Sequence, residues 1–222
     1  WLLREYTILL NKANKTDEAI EIYKNIILEL SDQAYAWHEF ANIFKHRNKL
    51  LSISMLCKAI TIQPNEDFLG EIRLDLAELL LDNEQLKEGL IELTKYKKHR
   101  EEKGWKTPER FKILFSKVSD IECSSLDNKT FYESSKLKAE EYILSNIPST
   151  YVVLYETFKN KEGKERLIFT DFKDIEFVTN RKKSHSLVNA KKNDIFEAKL
   201  HYDNANQRYL VLKIEKSLHT ID

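Results

Sequence analysis

The sequence has little of what breaks or cross-links regular structure: its 222 residues include 4 Gly, 3 Pro and 2 Cys. Scarce glycine and proline disfavour a loop-rich fold and favour long helices. The two cysteines, Cys57 and Cys123, lie far apart and match neither metal-ligand nor redox spacing. They predict buried thiols in an intracellular, cytoplasmic protein, and they exclude a disulfide-stapled fold.

Long apolar runs and an excess of either charge are also absent. No segment approaches the roughly 20 apolar residues that cross a bilayer, and 36 Lys+Arg balance 36 Asp+Glu. The chain opens WLLREY without Met or a signal-peptide pattern, which predicts a fragment of a longer protein. What is present, 42% hydrophobic and 11% aromatic residues, indicates one large or two small globular domains.

The residue patterns of enzymes and metal sites are missing as well. The six histidines form no HxxxH pair and no His–Cys cluster at ligand spacing. Gly163-Lys164 lacks the upstream glycine of a phosphate-binding loop and is followed by Glu165 where Ser or Thr is needed. No GxSxG nucleophile elbow occurs. We therefore expect no catalytic residue, no metal and no cofactor.

Residues 1–146 carry apolar residues at helical spacing, and part of the pattern repeats. TDEAIEIYKNI, LLSISMLCKAI and EQLKEGLIELTKY hold small residues, Ala19, Ser52 and Gly89, at intervals of 33 and 37 residues. Over about 1–96 the chain resembles tetratricopeptide repeats, which have a period of about 34 residues. The resemblance implies a solenoid of helix pairs that approach closely at the small residues. Helices at 104–121 and 127–146 would form a degenerate fourth repeat or a cap, and Trp37 and Trp105 are predicted to pack between helices.

The first helix of each repeat implies a groove for a protein or peptide partner. Asn42 would bind the peptide backbone, and the cations would receive an acidic tail; the alternative is that these side chains are solvated surface. The alignment places six residues towards the groove: Arg4, Lys12, His38, Asn42, Lys45 and His46.

After Pro148 the hydrophobic period changes from helical to two. YVVLYETF, ERLIFT, DIEFVT, DIFEAKLHY and RYLVLKIE read as five strands rich in β-branched and aromatic residues. Five short strands with one buried face predict a small OB-type or cold-shock-like barrel over 148–222. In the fifth strand, Leu210, Leu212 and Ile214 are expected to face inward, and Tyr209 outward. The fold class is thus α+β with two domains, divided near Pro148.

A basic segment, NRKKSHSLVNAKKN at 180–193, connects the third and fourth strands without a single acid. From residue 148 on, 14 Lys+Arg outnumber 11 Asp+Glu, so we expect phosphate contacts here; the alternative is a mobile, solvated loop. Tyr155 and Tyr209 are the aromatic residues expected to stack on bases, while Phe158, Phe169 and Phe177 are further candidates or core. The candidate contacts in the segment are Arg181, Lys182, Lys183, His185, Lys191 and Lys192.

The combination resembles bacterial proteins that join a tetratricopeptide array to a C-terminal cold-shock-like or OB-type domain. In KKNDIFEAKL, Asn193 replaces the glycine that opens a strand in such barrels. Several of these proteins accompany mobile conflict systems, which implies a non-enzymatic adaptor that binds a protein through its repeats and RNA or single-stranded DNA through its barrel. Two alternatives stay open: a purely protein–protein scaffold, and a regulatory fragment of an enzyme whose catalytic domain precedes Trp1.

Overall fold

The computed structural model describes residues 1–121 and 127–217; Cys123 and His219 therefore lie outside the described residues. Two compact units divide the chain, the first spanning Trp1–Tyr142 and the second beginning at Ile143. Helices precede an antiparallel sheet, which confirms the α+β prediction. In the described ranges, no helix has the length and apolarity that a membrane crossing requires. The helices are α1 Leu2–Lys12, α2 Thr16–Glu29, α3 Ala34–Phe44, α4 Lys49–Ile62, α5 Gly70–Leu81, α6 Leu86–Glu102, α7 Glu109–Ser116 and α8 Lys129–Leu144.

The first six helices pack as consecutive pairs, α1 with α2, α3 with α4 and α5 with α6. The small residues at the repeated position lie at close approaches. Ala19 and Ser52 are completely buried, and the Ser52 hydroxyl donates to the Ala41 carbonyl at 2.8 Å. A Cβ added to Gly89 would lie 2.7 Å from Leu81 Cδ2. The repeated spacing therefore marks positions where the second helix of a pair has no room for a large side chain.

The region predicted as one helix over 104–121 contains only the shorter α7. Gly104 adopts φ +68°, and the Trp105 amide donates back to the Arg100 carbonyl at 2.8 Å, so the chain turns sharply after α6. Pro108 then precedes the first helical residue, Glu109. Trp105 lies in the connection and is 46% exposed. The prediction that Trp105 packs between helices was wrong, whereas Trp37, 2% exposed, is core.

A buried ion pair joins α5, α6 and α8. Arg73 is 4% exposed and Glu92 fully buried, and Arg73 Nη1 donates to Glu92 Oε2 at 2.5 Å. The second Glu92 oxygen accepts from Asn128 Nδ2 at 2.7 Å and from the Tyr132 hydroxyl. Glu66 accepts from Arg73 Nε at 3.0 Å and Nη2 at 2.8 Å. Because its donors and acceptors are matched, the pair can be tolerated in the apolar interior.

We expect Glu92→Ala to lower the free energy of unfolding by about 3–5 kcal/mol, because it leaves a buried guanidinium without its partner. The matched control is Glu101→Ala on the same helix, whose contact with Lys97 at 3.8 Å is solvent-exposed and should matter by less than about 0.5 kcal/mol. Urea unfolding followed by circular dichroism measures both. Equal losses in the two variants would contradict the structural role of the pair.

The second unit is a five-stranded antiparallel sheet with strand order β3-β2-β1-β4-β5. The central β1 pairs with β4 along its first half and with β2 along its second. The buried core includes Val152, Leu154, Phe169, Phe177 and Phe196. Phe169 and Phe177 are therefore core and not exposed stacking residues. The strands are β1 Ser149–Lys159, β2 Glu165–Thr170, β3 Glu176–Thr179, β4 Ile195–Asp203 and β5 Arg208–Lys216.

The register of β5 overturns one prediction. Lys199 pairs with Lys213 but Leu200 pairs with Val211, so Leu212 is an additional residue in β5. The bulge reverses the alternation of side chains along the strand. Val211 and Ile214 are buried, while Leu210 and Leu212 are half-buried. The prediction that Leu210 and Leu212 share the inward face with Ile214 was wrong.

Candidate nucleic-acid interface

A bulge in β1 places Tyr155 on the surface. Leu154 pairs with Phe169 and Glu156 pairs with Ile168, which leaves Tyr155 as the additional residue of the strand. Leu154 is fully buried, and the Tyr155 side chain is 46% exposed. The bulge therefore exposes the Tyr155 ring, although the preceding residue of the same strand, Leu154, belongs to the core.

A second exposed ring, Phe172, lies in the turn between β2 and β3. It is 67% exposed and has φ +60°, a left-handed conformation that costs a bulky residue about 1–3 kcal/mol. The turn is held by Asp171, whose carboxylate accepts from the Ile175 amide at 3.0 Å and the Lys173 amide at 2.9 Å; these hydrogen bonds lower the pKa of Asp171. The Phe172 ring meets the Tyr155 ring at nearly a right angle, with centroids 6.2 Å apart.

A cation from the basic segment completes the group. Lys192 Nζ lies 5.5 Å from the centroid of the Tyr155 ring, within the range of a cation–π contact. Tyr155, Phe172 and Lys192 are hereafter the aromatic–lysine cluster. Exposed ring faces can stack on bases of any sequence, and a neighbouring ammonium group can contact the backbone phosphate. Phe172 was not predicted from the sequence. The pattern that could have identified it is an aromatic residue between two acids of a turn, Asp171 and Asp174.

The basic segment 180–193 is folded onto the sheet. It contains two short 3-10 turns, Arg181–Lys183 and His185–Leu187, and both Leu187 and Ala190 are buried in the core of the unit. Residues that belong to the core cannot move independently of it. This geometry disfavours the alternative of a mobile, solvated loop.

Arg181 holds the segment in place. Its guanidinium donates to Glu165 Oε2 at 2.6 Å and to the carbonyls of Leu187 at 2.8 Å and Ala190 at 3.0 Å. The Arg181 hydrogen bond also lowers the pKa of Glu165. Arg181 therefore has a structural role in the segment, and its predicted contact with phosphate stays a prediction.

The other predicted residues of this surface fall into two sets. Tyr209 is half-buried, packs against the core and contacts the Tyr202 ring at a centroid distance of 5.0 Å, so the prediction that it is exposed was wrong. The remaining basic residues have exposed side chains: Lys182, Lys183, His185 and Lys191, with Lys191 adjacent in sequence to the aromatic–lysine cluster.

We expect Arg181→Gln to loosen the basic segment, because three carbonyl and carboxylate acceptors lose a charged donor. Backbone amides of 184–190 should exchange with deuterium at least about 10-fold faster, since a loss of 1.4 kcal/mol of local stability corresponds to that factor. Lys182→Gln, which removes the same charge from an exposed neighbour, is the control. Unchanged exchange in Arg181→Gln would show that the segment is held by other contacts.

In the helical unit, three of the predicted groove residues contact carboxylates of the same unit. Arg4 Nε donates to Glu39 at 2.9 Å, and the Tyr23 hydroxyl donates to the same carboxylate at 2.7 Å. This contact joins α1 to α3. The Arg4 side chain also lies over the Tyr35 ring, 4.4 Å from its centroid. Arg4 is thus part of the packing between successive helices.

The ion pairs continue from α3 to α5 and α7. His38 Nε2 lies 2.5 Å from Asp75 Oδ2, and Lys45 Nζ lies 2.5 Å from Glu78 Oε2. Arg110 Nη2 reaches both carboxylates, at 2.5 Å and 2.8 Å. Burial raises the pKa of Asp75 and Glu78, but the hydrogen bonds from His38, Lys45 and Arg110 outweigh it and lower both. His38 and Lys45 therefore contact carboxylates within the chain, and their predicted contact with an acidic tail stays a prediction.

The other three predicted groove residues, Lys12, Asn42 and His46, are exposed. They remain candidates for contact with a partner. In the part of the chain that the structure describes, no group of three or more His, Cys, Asp or Glu residues is placed to hold a metal ion.

Comparison with known proteins places the chain in one family. The model of a domain of unknown function, DUF7017, matches residues 1–139, more than half of the chain. The chain therefore belongs to the DUF7017 family. The match covers α1 to α7 and most of α8, while the sheet lies beyond it. No curated protein matches the sequence.

Proposed function

We propose that this member of the DUF7017 family is a non-enzymatic, cytoplasmic adaptor whose β unit binds single-stranded RNA or DNA and whose helical unit binds a protein partner. The observation that carries the proposal is the aromatic–lysine cluster. Two solvent-exposed rings in mutual contact, with a cation over one of them, combine the stacking surface and the positive charge that single-strand binding uses. Each can accept one base by stacking, worth about 1–3 kcal/mol.

The topology of the sheet supports an OB-type interpretation of the β unit. An OB barrel opened between its third and fifth strands has the order β3-β2-β1-β4-β5, and its long first strand is shared between two neighbours as β1 is here. OB folds bind oligonucleotides on the side of their second and third strands. The β2–β3 turn that carries Phe172 belongs to that side.

The helical unit supports the protein-binding half of the proposal through its paired helices. Their close approaches at Ala19, Ser52 and Gly89 favour a tetratricopeptide-like solenoid, and such arrays bind partners along their first helices. The ion pairs between α1, α3, α5 and α7 would keep those helices in register. The exposed Lys12, Asn42 and His46 would then contact the partner.

Fluorescence anisotropy with labelled single-stranded RNA and DNA of about 12 nucleotides tests the β unit, at about 50 mM and 200 mM salt. We expect Tyr155→Ala and Phe172→Ala each to weaken binding by about 5- to 150-fold, the equivalent of one lost stacking contact. Lys192→Gln should reduce the slope of log K against log salt by about 1. Two controls leave the cluster intact: Tyr151→Ala, which removes another exposed ring of β1, and Lys213→Gln, which removes an exposed charge of β5.

A second candidate is a protein scaffold, favoured by apolar residues on the outer face of β1 to β3. Phe158 is 40% and Val178 is 51% exposed, and Val178 pairs with the half-buried Ile168. The same titration separates the two candidates. Wild-type protein that binds neither nucleic acid at low salt would overturn the first proposal and leave this apolar face as a protein contact.

A further inference from the structure

A cavity of about 230 Å³ lies in the helical unit, where the chain enters α5 and leaves α6. Its walls come from the short turn Glu66–Phe68, from Gly70, from the last turns of α6 and from the connection that carries Trp105. A Cβ added to Gly70 would lie 3.6 Å from the Tyr96 ring, so the glycine keeps that side of the cavity open. The cavity has about the size of a small organic ligand and belongs to no site described above.

Arg100 contributes a cation to this cavity without an anionic partner. Its Nε is buried and has no hydrogen-bond partner. None of the ion pairs found within residues 1–121 and 127–217 includes Arg100, whose side-chain hydrogen bond to Tyr96 opposes the rise that burial causes in the pKa of Tyr96. The guanidinium carbon lies 5.5 Å from the centroid of the Tyr96 ring and 5.6 Å from that of Trp105. The guanidinium is thus held against two aromatic rings and not by a carboxylate of the described ranges.

The carboxylates that line the cavity contact other cations and not Arg100. Their nearest nitrogen–oxygen distances fall between 2.8 and 3.6 Å. The pairs are Glu66 with Arg73, Asp67 with His99 and Lys103, and Glu71 with Arg110. Arg73 and Arg110 are shared with other carboxylates, so the three carboxylates of the wall keep part of their negative charge and would repel a ligand with several negative charges.

The mouth of the cavity is apolar. Phe68 is 67% exposed and Trp105 is 46% exposed, and both line the cavity. The position of Trp105 is built into the fold: Gly104 at φ +68° turns the chain, and the Trp105 amide donates to the Arg100 carbonyl at 2.8 Å. The indole therefore lies over the guanidinium and offers an apolar surface next to the unpaired charge.

We propose that this cavity binds a monocarboxylate attached to an aromatic or large apolar group. The carboxylate accepts hydrogen bonds from the Arg100 guanidinium, and the apolar group packs between Phe68 and Trp105. A guanidinium binds a planar carboxylate with paired hydrogen bonds, whereas the surrounding acids disfavour a polyphosphate or a nucleic-acid strand. Such a carboxylate can belong to a free small acid or to the C-terminus of a peptide. The site is independent of the nucleic-acid surface proposed for the β unit.

Nuclear magnetic resonance of the indole N–H groups tests the site, because the chain has three tryptophans and Trp105→Phe identifies the signal of interest. The probes are phenylacetate and its neutral counterpart phenylacetamide, each added to about 10 mM, which detects dissociation constants on the order of 1 mM. We expect phenylacetate to shift the Trp105 signal saturably and phenylacetamide to bind at least about 10-fold more weakly. A Trp105 signal that neither probe shifts, or that both shift equally, would overturn the proposal.

Two variants assign the carboxylate contact. Arg100→Gln should weaken phenylacetate binding at least about 10-fold, whereas Lys98→Gln, which removes an exposed charge from the same helix, should leave it unchanged. Should Arg100→Gln fail to fold, the preference of the wild-type protein for phenylacetate over phenylacetamide still decides the question. A peptide ending in Phe, with a free or an amidated C-terminus, separates the two sources: tighter binding of the free-acid peptide than of phenylacetate indicates a peptide ligand, and weaker binding a small acid.

Discussion

The β unit depends on one strand. β1 pairs with β4 through its first residues and with β2 through its last, so without it the sheet would separate into two pieces. The bulge at Tyr155 lets the same strand place Leu154 in the core and an aromatic ring on the surface. The neighbouring basic segment likewise combines buried residues with exposed ones. Leu187, Ala190 and Arg181 fix it to the sheet, and its lysines are left at the surface.

The helical unit uses two arginines in opposite ways. Arg73 is buried between α5, α6 and α8 with its donors matched to Glu66 and Glu92, as a buried charge must be for stability. Arg100 lies on the last turn of α6 beside a cavity and against two rings, and none of the carboxylates in the described ranges forms an ion pair with it. Arg73 therefore stabilises the fold, whereas Arg100 is the cation that the proposed carboxylate ligand would contact.

Period-two alternation predicted all five strands, and helical spacing predicted the paired helices, because both patterns follow from burial of one face. Bulges could not be predicted in this way. Leu212 is an additional residue only relative to its partner strand, so Tyr209 and Leu210 were placed on the wrong faces. Contacts between residues distant in sequence could not be predicted either. The carbonyls that accept from Arg181 are brought to it by the path of the loop, so the sequence of the segment alone indicated only exposed cations.

Photo-crosslinking tests whether the two rings of the aromatic–lysine cluster stack on bases. Single-stranded RNA carrying 5-iodouridine would be irradiated with the full chain, and the crosslinked peptide identified by mass spectrometry. Bases stacked on the cluster should crosslink to Tyr155 or Phe172, because the reaction requires contact between the base and an aromatic side chain. Crosslinks confined to the helical unit, or to Tyr202 and Tyr209, would show that bases do not stack on Tyr155 or Phe172.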